Sequence, residues 1–416
     1  MKKLQFLMVM GLGISLLVLP LLSGIAVAAP AKTLKVGNTV PMKAKEGIQI
    51  KKWLEMFAER LNAAGGLVVK GQRYNVEIIS YDDGYSADTG RAAAERLIYQ
   101  DKVKHIICQW GSAPIVATLG VAEPNKVLMI CNGMTEKTMD PKWHYVYRAP
   151  SLFWINGQQV EWVNHFKKMG LPTTVVLINP DDVTGRGATK KNTLLYKNLG
   201  VNILDALFWK RGTADYTPFA TKIKSLNPGF VDTGTTPAGA PSLLLAKALY
   251  DVGYKGGKLF NNIAETWKEI IDKVGPEAIE GAVCGFKDPR QYRTDKKWVL
   301  ELCDAYEKKY GVWETDAVNW IAGWFVFMAA VKKANSLDVD DLAKALDGLE
   351  VECLDCKRRF VARPDNKNPR TCDSVPQQMP GVVKNGKFQL MKIMSIDENY
   401  EKTIKAFGLQ KVFRLK

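Results

Sequence analysis

The stretch Cys108-Gln-Trp-Gly-Ser-Ala-Pro114 interrupts two apolar runs, His105-Ile106-Ile107 before it and Ile115-Val116-Ala117 after it. An apolar strand that halts at Gly111 and a helix that starts at Ser112 form the strand-to-helix joint of an α/β fold. Gly111 lets backbone approach closely. Ser112 reads as the N-cap of the helix. The free N–H groups of a helix start suit a carboxylate. Trp110 either lines a pocket or packs beneath one. A plain turn of the chain would account for the same residues.

Outward from this joint the same alternation continues. Toward the N-terminus, "TLKVGNTVP" reads as a strand and "EGIQIKKWLEMFAERLNAAGG" as a helix with Ile48, Trp53, Met56, Phe57 and Leu61 on one face. "YNVEIISYDD" is a second strand and "SADTGRAAAERLIYQD" a second helix. "VKHIICQW" is the third strand, "SAPIVATLGVAE" the third helix and "KVLMICN" the fourth strand. This βαβαβαβ order predicts a parallel sheet with right-handed crossovers. "YVYRAPSLFW" (145–154) reads as a linker, and a second α/β series follows it. Its strands are "TTVVLIN", "VNILDALFW", "GFVDTG" and "GKLFNN". Helices are expected over Lys296–Lys309, Asp316–Lys333 and Asp338–Asp347, then Cys-rich loops and terminal strands around Gly386-Lys387-Phe388. The fold class is therefore α/β, with two doubly wound sheets. Ligands in such sheets sit beyond the carboxyl ends of strands, where the opening stretch falls.

The N-terminus bears on the compartment. Met1-Lys2-Lys3 is basic, Leu4 to Val27 carries no charge, and Ala26-Val27-Ala28 has the small-residue spacing that a signal peptidase reads. The expectation is a cleaved secretory signal over residues 1–28, an uncleaved membrane anchor being the alternative. The remaining 388 or so residues suggest two domains by length. The formal charge of +15 becomes +13 without Lys2 and Lys3. Basic residues are dispersed among acids, with no basic stripe interleaved with aromatics, so nucleic acid is not an expected partner.

A search for catalytic clusters returns little. His105, His144 and His165 lack partner spacing, and no zinc-protease, nucleophile-elbow or phosphate-loop signature is present. "TGRGATK" (184–190) reads as a strand-to-helix turn rather than a dinucleotide loop. The seven cysteines include the Cys353-x2-Cys356 pair. That pair has metal-ligand spacing but no second pair or nearby His. A disulfide to Cys372 is the other reading. No cofactor, no metal and no catalytic residue are expected.

A second joint follows strand four, "CNGMTEK" (131–137), with Gly133, Met134 and Thr135. Two neighbouring strand ends would then each offer a glycine and a hydroxyl to one carboxylate. Here the chain resembles the type I periplasmic binding proteins that serve branched-chain amino acid ABC importers. The resemblance rests on "KVGNTVP…EGIQ", "ERLNAAGGLVVKGQRYNVEIISYDDGYSADTGRAAAERLI", "GSAPIVATLGVAEPNKVLMICNG" and "TTVVLINPDDVTGRG", and on the order of the elements.

The resemblance implies two α/β lobes joined by a three-segment hinge, with crossovers near Arg148–Ser151, Glu280–Asp288 and Ala362–Asn366. The lobes would be 29–149 with 283–363, and 150–282 with 364–416. It implies a ligand carboxylate held by Ser112 and Thr135 with backbone near Gly111 and Gly133. Around the rest of the ligand it implies Thr184, Thr236, Glu265 against an ammonium group, and Glu46. Thr184 and Glu46 stand where the family often has aromatic residues. Leucine, isoleucine or valine is the family default, and an aromatic carboxylate or an amide fits a pocket altered in this way. The function implied is a periplasmic binding protein that delivers its ligand to the membrane permease of an ABC importer. A same-fold sensor and an exported enzyme are the competing readings.

Overall fold

Val36, Val40, Ile106, Ile107 and Ile130 are wholly buried and mark the strands around which the first part of the chain folds. The structure, a computed structural model, describes residues 30–150, 152–260, 266–285, 287–363 and 368–410. The expected signal segment, 1–28, lies outside the described residues. Among the described residues no helix is long and apolar enough to cross a membrane.

In chain order the first part comprises β1 (Lys32–Val40), α1 (Lys45–Ala63), β2 (Leu67–Val69), β3 (Gln72–Asp82), α2 (Ala87–Glu95), β4 (His105–Trp110), α3 (Ser112–Ala122), β5 (Leu128–Asn132) and β6 (Val146–Arg148). The second part comprises α4 (Leu152–Lys168), β7 (Thr174–Pro180), α5 (Val183–Asn198), β8 (Asn202–Trp209), α6 (Thr217–Leu226), β9 (Phe230–Asp232), α7 (Ala240–Asp251), β10 (Gly257–Leu259), α8 (Trp267–Val274) and β11 (Val283–Gly285). Then follow α9 (Pro289–Tyr292), α10 (Lys297–Tyr310), α11 (Ala322–Ala334), α12 (Val339–Leu346), β12 (Glu350–Glu352), β13 (Lys357–Arg363), β14 (Asn368–Pro376), β15 (Pro380–Lys384), β16 (Lys387–Leu390) and α13 (Ile396–Ala406).

Two sheets result, as the alternation predicts. The first runs β12-β13-β14-β6-β5-β4-β1-β3-β2 and the second β16-β15-β11-β10-β9-β7-β8. The central pairings β3-β1-β4-β5-β6 and β8-β7-β9-β10-β11 are parallel. Antiparallel strands finish both edges of the first sheet and the β15–β16 edge of the second, whose other edge is the parallel strand β8. The β2–β3 hairpin was not legible as a strand pair, although Lys70 (φ 50°) and Gly71 (φ 79°) form the tight left-handed turn that such hairpins favour.

Several expectations shift. The 145–154 linker contains β6, because Val146 and Tyr147 pair with β5. The expected helix from Asp316 begins only at Ala322. The Cys-rich loops are the strands β12, β13 and β14, and the terminal helix α13 had no counterpart in the sequence reading. These strands were obscured because their inward positions hold Arg358 and Arg363, both almost wholly buried. Buried arginine breaks the apolar alternation by which a strand is read.

The chain passes between the sheets three times. The first passage lies between β6 and α4, and the second between β11 and α10. β11 itself pairs in the second sheet. β13 and β14 form a hairpin within the first sheet, so the third passage runs through Gln377–Met379 rather than Ala362–Asn366.

All seven cysteines are buried. Arg358 faces Pro376 across the β13–β14 ladder. Cys372 therefore sits about six residues further along it than Cys356, roughly 20 Å at strand rise. That is beyond disulfide reach, so the Cys372 staple is not formed by this fold.

Candidate functional site

The opening stretch is a bulge. Ile107 pairs with Ile130 and Trp110 with Asn132, so Cys108 and Gln109 together face the single residue Cys131. Cys108 takes a φ of 55°, uncommon outside glycine, and the bulge re-aims the residues after it. Gln109 turns inward, where its Nε2 donates to Thr39 Oγ1 (2.7 Å) and Thr118 Oγ1 (2.8 Å). Trp110 turns to a cavity between the two sheets, edge-on to Tyr85 (5.2 Å between centroids) and tilted against Trp320 (6.3 Å).

Gly111, not Ser112, occupies the N-cap of α3. Its φ of 105° excludes most side chains, and an added Cβ would stand 3.0 Å from the Tyr85 ring. Ser112 becomes the first helical residue and is buried, on the cavity wall. Pro114 carries no N–H, and Ile115 N–H already bonds the Gly111 carbonyl (3.1 Å). The first-turn donors without an intrahelical partner are therefore the N–H groups of Ser112 and Ala113.

The cavity has a volume of about 160 Å³. A cavity of about 150 Å³ lined by apolar side chains holds a benzene molecule, so a ligand of one ring or one short branched chain is the matching scale. Residues at the carboxyl ends of both sheets enclose it. The first lobe supplies Glu46, Tyr85, Trp110, Gly111, Ser112, Asn132, Met134 and Trp320. The second supplies Asn156, Gln158 and Gln159 from α4, Thr184 and Asn192 from α5, and Gly234 and Thr235 after β9. Lys287 and Arg358 complete the wall near the passages.

Of the residues singled out in the sequence, the structure brings Glu46, Trp110, Gly111, Ser112, Met134 and Thr184 to this one cavity. Thr135, Gly133 and Thr236 do not line it. Thr135 instead caps the short helix Glu136–Met139, its Oγ1 accepting from Lys137 N–H at 3.4 Å. Gly133 packs against that helix, since an added Cβ would lie 2.9 Å from Thr138 Cγ2. Thr236 is buried, its N–H bonded to the Thr233 carbonyl at 3.0 Å. Glu265 lies outside the described residues.

Thr184 is on the wall because Asp182 caps α5, accepting from the N–H groups of Thr184 (2.9 Å) and Gly185 (2.8 Å). Those donors are thereby consumed, and "TGRG" is the first turn of α5 itself rather than the strand-to-helix turn that the sequence suggested.

Sequence reasoning missed Tyr85, Trp320, Lys287 and the amides of α4. The run Asn156-Gly-Gln158-Gln159 inside an otherwise apolar helix was the available signal. Among the described residues, the buried atoms Asn132 Oδ1, Gln158 Oε1, Gln159 Oε1 and Asn319 Oδ1 find no hydrogen-bond partner within the chain. All four residues line the cavity, and buried polar atoms in native proteins are normally partnered. Glu46 is half-buried in the first turn of α1. Loss of water raises its proton affinity, the Asp316 charge pushes the same way, and Lys287 opposes both. Among the described residues no group of three His, Cys, Asp or Glu is placed to hold a metal.

Charged side chains cross the cleft. The Arg211 guanidinium, after β8, lies 4.4 Å from the Tyr85 ring centroid. Lys191 on α5 reaches Glu136 of the first lobe, with Nζ 2.5 Å from Oε1.

A small, aromatic- and amide-lined cavity enclosed by the strand ends of two parallel sheets defines a two-lobed ligand-binding protein. The chain belongs to the periplasmic binding protein family, whose profile matches residues 33–375. It is 23% identical over 317 residues to an amino acid binding protein of Pseudomonas aeruginosa, a match spanning 74% of this chain and 79% of that one. Among solved structures it resembles the leucine-, isoleucine-, valine-, threonine- and alanine-binding protein of Brucella ovis in its closed conformation (TM-score 0.72, 19% identity, 89% of this chain and 97% of that one). It also resembles a solute-binding protein of an ABC transporter from Rhodopseudomonas palustris in complex with 3,4-dihydroxybenzoic acid (TM-score 0.70, 20% identity, 88% and 98%). These structural likenesses establish the two-lobed fold.

Proposed function

We propose that the chain is an exported solute-binding protein that captures a small carboxylate-bearing ligand, a branched-chain or related amino acid, and delivers it to the membrane permease of an ABC importer. The observation that carries this reading is the joint presence in one cavity of Ser112 on the first turn of α3 and of the half-buried carboxylate of Glu46. Helix-start N–H groups with a hydroxyl favour a carboxylate. A buried carboxylate is stabilised by a cation within hydrogen-bond reach. An α-amino acid offers one of each. The relatives named above for amino acids support the class. Export rests on the basic and apolar residues of 1–28, and a binding rather than catalytic role on family membership.

A second reading, an aromatic carboxylate, is favoured by the Tyr85–Trp110–Trp320 ring wall. Flat ligands gain from offset or edge contact with such rings.

A thermal-shift screen tests both. Leucine, isoleucine and valine are set against benzoate, short dicarboxylates and amides. The responding ligand is expected to stabilise the fold by roughly 3–4 kcal/mol at 100 to 1,000 times its dissociation constant. A response to amides alone overturns the carboxylate reading. A response to benzoates without amino acids selects the second reading. Uptake of the responding ligand by cells with and without the chain then tests delivery to a permease.

A further inference from the structure

The tip of the β12–β13 hairpin sits where the three passages between the lobes meet. Arg358 Nη1 donates to the Ala149 carbonyl of the first passage at 2.9 Å. Arg293, in the second, pairs with Glu352 and donates through Nη1 to the Asp355 carbonyl at 3.5 Å. In the third, Gln377 N–H bonds the Lys357 carbonyl (2.9 Å) and Gln377 Oε1 accepts from Lys357 N–H (3.1 Å). Arg358 is also ion-paired with Asp355 inside the turn. The hairpin end from Glu352 to Arg358, with the Cys353–Cys356 turn at its tip, therefore touches all three strands of the connection, and Asp355, Cys356 and Arg358 also line the ligand cavity.

That turn begins and ends with cysteine. The ladder pairs Glu350 with Arg359, Val351 with Arg358 and Glu352 with Lys357. The next facing pair is Cys353 with Cys356, and the Cys353 N–H bonds the Cys356 carbonyl at 3.0 Å. Facing residues of a hydrogen-bonded antiparallel pair have Cα atoms about 5.5 Å apart; here Cys353 packs in the first lobe's core and Cys356 against the second's, so a bridge needs a side-chain rotation at the turn. Disulfides span Cα separations of about 4.4–6.8 Å.

We propose that Cys353 and Cys356 form a disulfide when the chain folds in an oxidising compartment, and that this bridge locks the turn joining the lobes. The oxidant is a small-molecule or protein disulfide. One cysteine thiolate attacks it, forming a mixed disulfide and expelling one thiolate. The second cysteine attacks the mixed disulfide, forming the Cys353–Cys356 bond and expelling the other. The chain loses two electrons and two protons, and the oxidant leaves as two thiols. Both thiols are buried in the folded chain, and buried thiols exchange slowly, so the bridge forms before the turn is covered. Cys108 is the other thiol near Cys353, but it lies at the centre of the first sheet with its Sγ packed against Gly323.

The full chain is refolded from denaturant with oxidised glutathione, denatured again without reductant, alkylated and digested with trypsin. No Lys or Arg separates Cys353 from Cys356, so both fall in one peptide. That peptide is expected to be two hydrogens lighter than the reduced form and to resist alkylation until reduced. A peptide that takes two alkyl groups overturns the proposal, and so does a bridge from either cysteine to Cys108 or Cys372. In Cys353→Ser and in Cys356→Ser the remaining thiol of that peptide is expected to alkylate. Should a variant fail to fold, the wild-type map still decides. Reduction is expected to lower the melting temperature of the unliganded protein, and an unchanged value overturns the locking role.

Discussion

Lys191 and Glu136 meet across the cleft, one from each lobe, with Nζ 2.5 Å from Oε1. The pair is unequal in what surrounds it. Glu136 also stands 2.9 Å from Arg363 Nη1 and 3.8 Å from Arg148 Nη1. Burial pulls the Lys191 ammonium down to about 8, and Glu136 is the carboxylate that opposes this. The three cations hold Glu136 well below the usual carboxylate range, against the effect of burial.

Removal of the two partners should therefore differ in effect. Glu136→Gln strips the nearly buried Lys191 of its counter-ion, whereas Lys191→Met leaves Glu136 with two arginines. The first change is expected to cost roughly 1–2 kcal/mol, between the values for exposed and buried pairs because Glu136 is partly solvated. The second should cost less than about 1 kcal/mol. Urea unfolding of both variants measures this. Equal losses, or a larger loss for Lys191→Met, would show that the pair is not organised around Glu136.

Asp83 gives a pH prediction. It is wholly buried, accepts from Tyr85 N–H (2.9 Å) and Thr39 Oγ1 (3.1 Å), and burial raises its pKa from 3.8 to about 6. The folded chain thus binds this proton up to about pH 6 and the unfolded chain only to about pH 4. Stability from this group is present in full below about pH 4 and declines as pH rises to about 6, by about 3 kcal/mol. Asp83→Asn should remove that decline and melt higher than the wild type at pH 7. Melting curves from pH 4 to 7 compare the two. Parallel pH profiles would mean that Asp83 carries no such penalty.

The ligand site separates two hydroxyls that the sequence had placed together. Ser112 lines the cavity, and Thr135 caps a helix beside it. For the carboxylate found in the screen, Ser112→Ala should weaken binding at least about tenfold, the scale of a hydrogen bond to a charged group. Thr135→Ala should leave affinity within about threefold while losing up to about 1 kcal/mol of stability through the lost cap. Titration calorimetry on both variants, with urea unfolding, tests the division. A loss of affinity in Thr135→Ala matching that in Ser112→Ala would restore the paired-hydroxyl site.

The contrast between these two residues shows what was legible. Alternating strands and helices gave both sheets and most of the element order along the chain, because period and spacing are local properties. Gly111 and Ser112 were found because a glycine before a helix start is also local. The cavity role of Tyr85, Trp320 and the α4 amides depends on residues far apart in the chain meeting at strand ends, and one sequence carries no signal for that. Thr135 misled because a Gly-x-Thr joint after a strand reads alike whether the threonine faces a ligand or caps a short helix. The bulge at Cys108 was hidden as well: one extra residue in β4 is visible only against the register of β5.

That bulge makes Gly111 the position least tolerant of change in the site. With φ 105° and ψ 122°, it lies outside the left-handed helical region that Asn or Asp can adopt. An added Cβ would also meet Tyr85 Cε2 at 3.0 Å and Pro114 Cγ at 3.1 Å. Tyr85 cannot withdraw freely, because Arg211 lies 4.4 Å from its ring centroid on the other side of the cleft. Gly111→Ala is expected to cost about 1–3 kcal/mol in backbone strain and to move Tyr85 toward the cavity, lowering affinity as well. Gly111→Asn should do no better, which distinguishes this position from a simple left-handed turn. Unfolding in urea and ligand titration of both variants give the answer. Wild-type stability in Gly111→Ala would mean that the strand-to-helix joint can adopt another backbone path, and that the Trp110–Ser112 wall is not fixed by it.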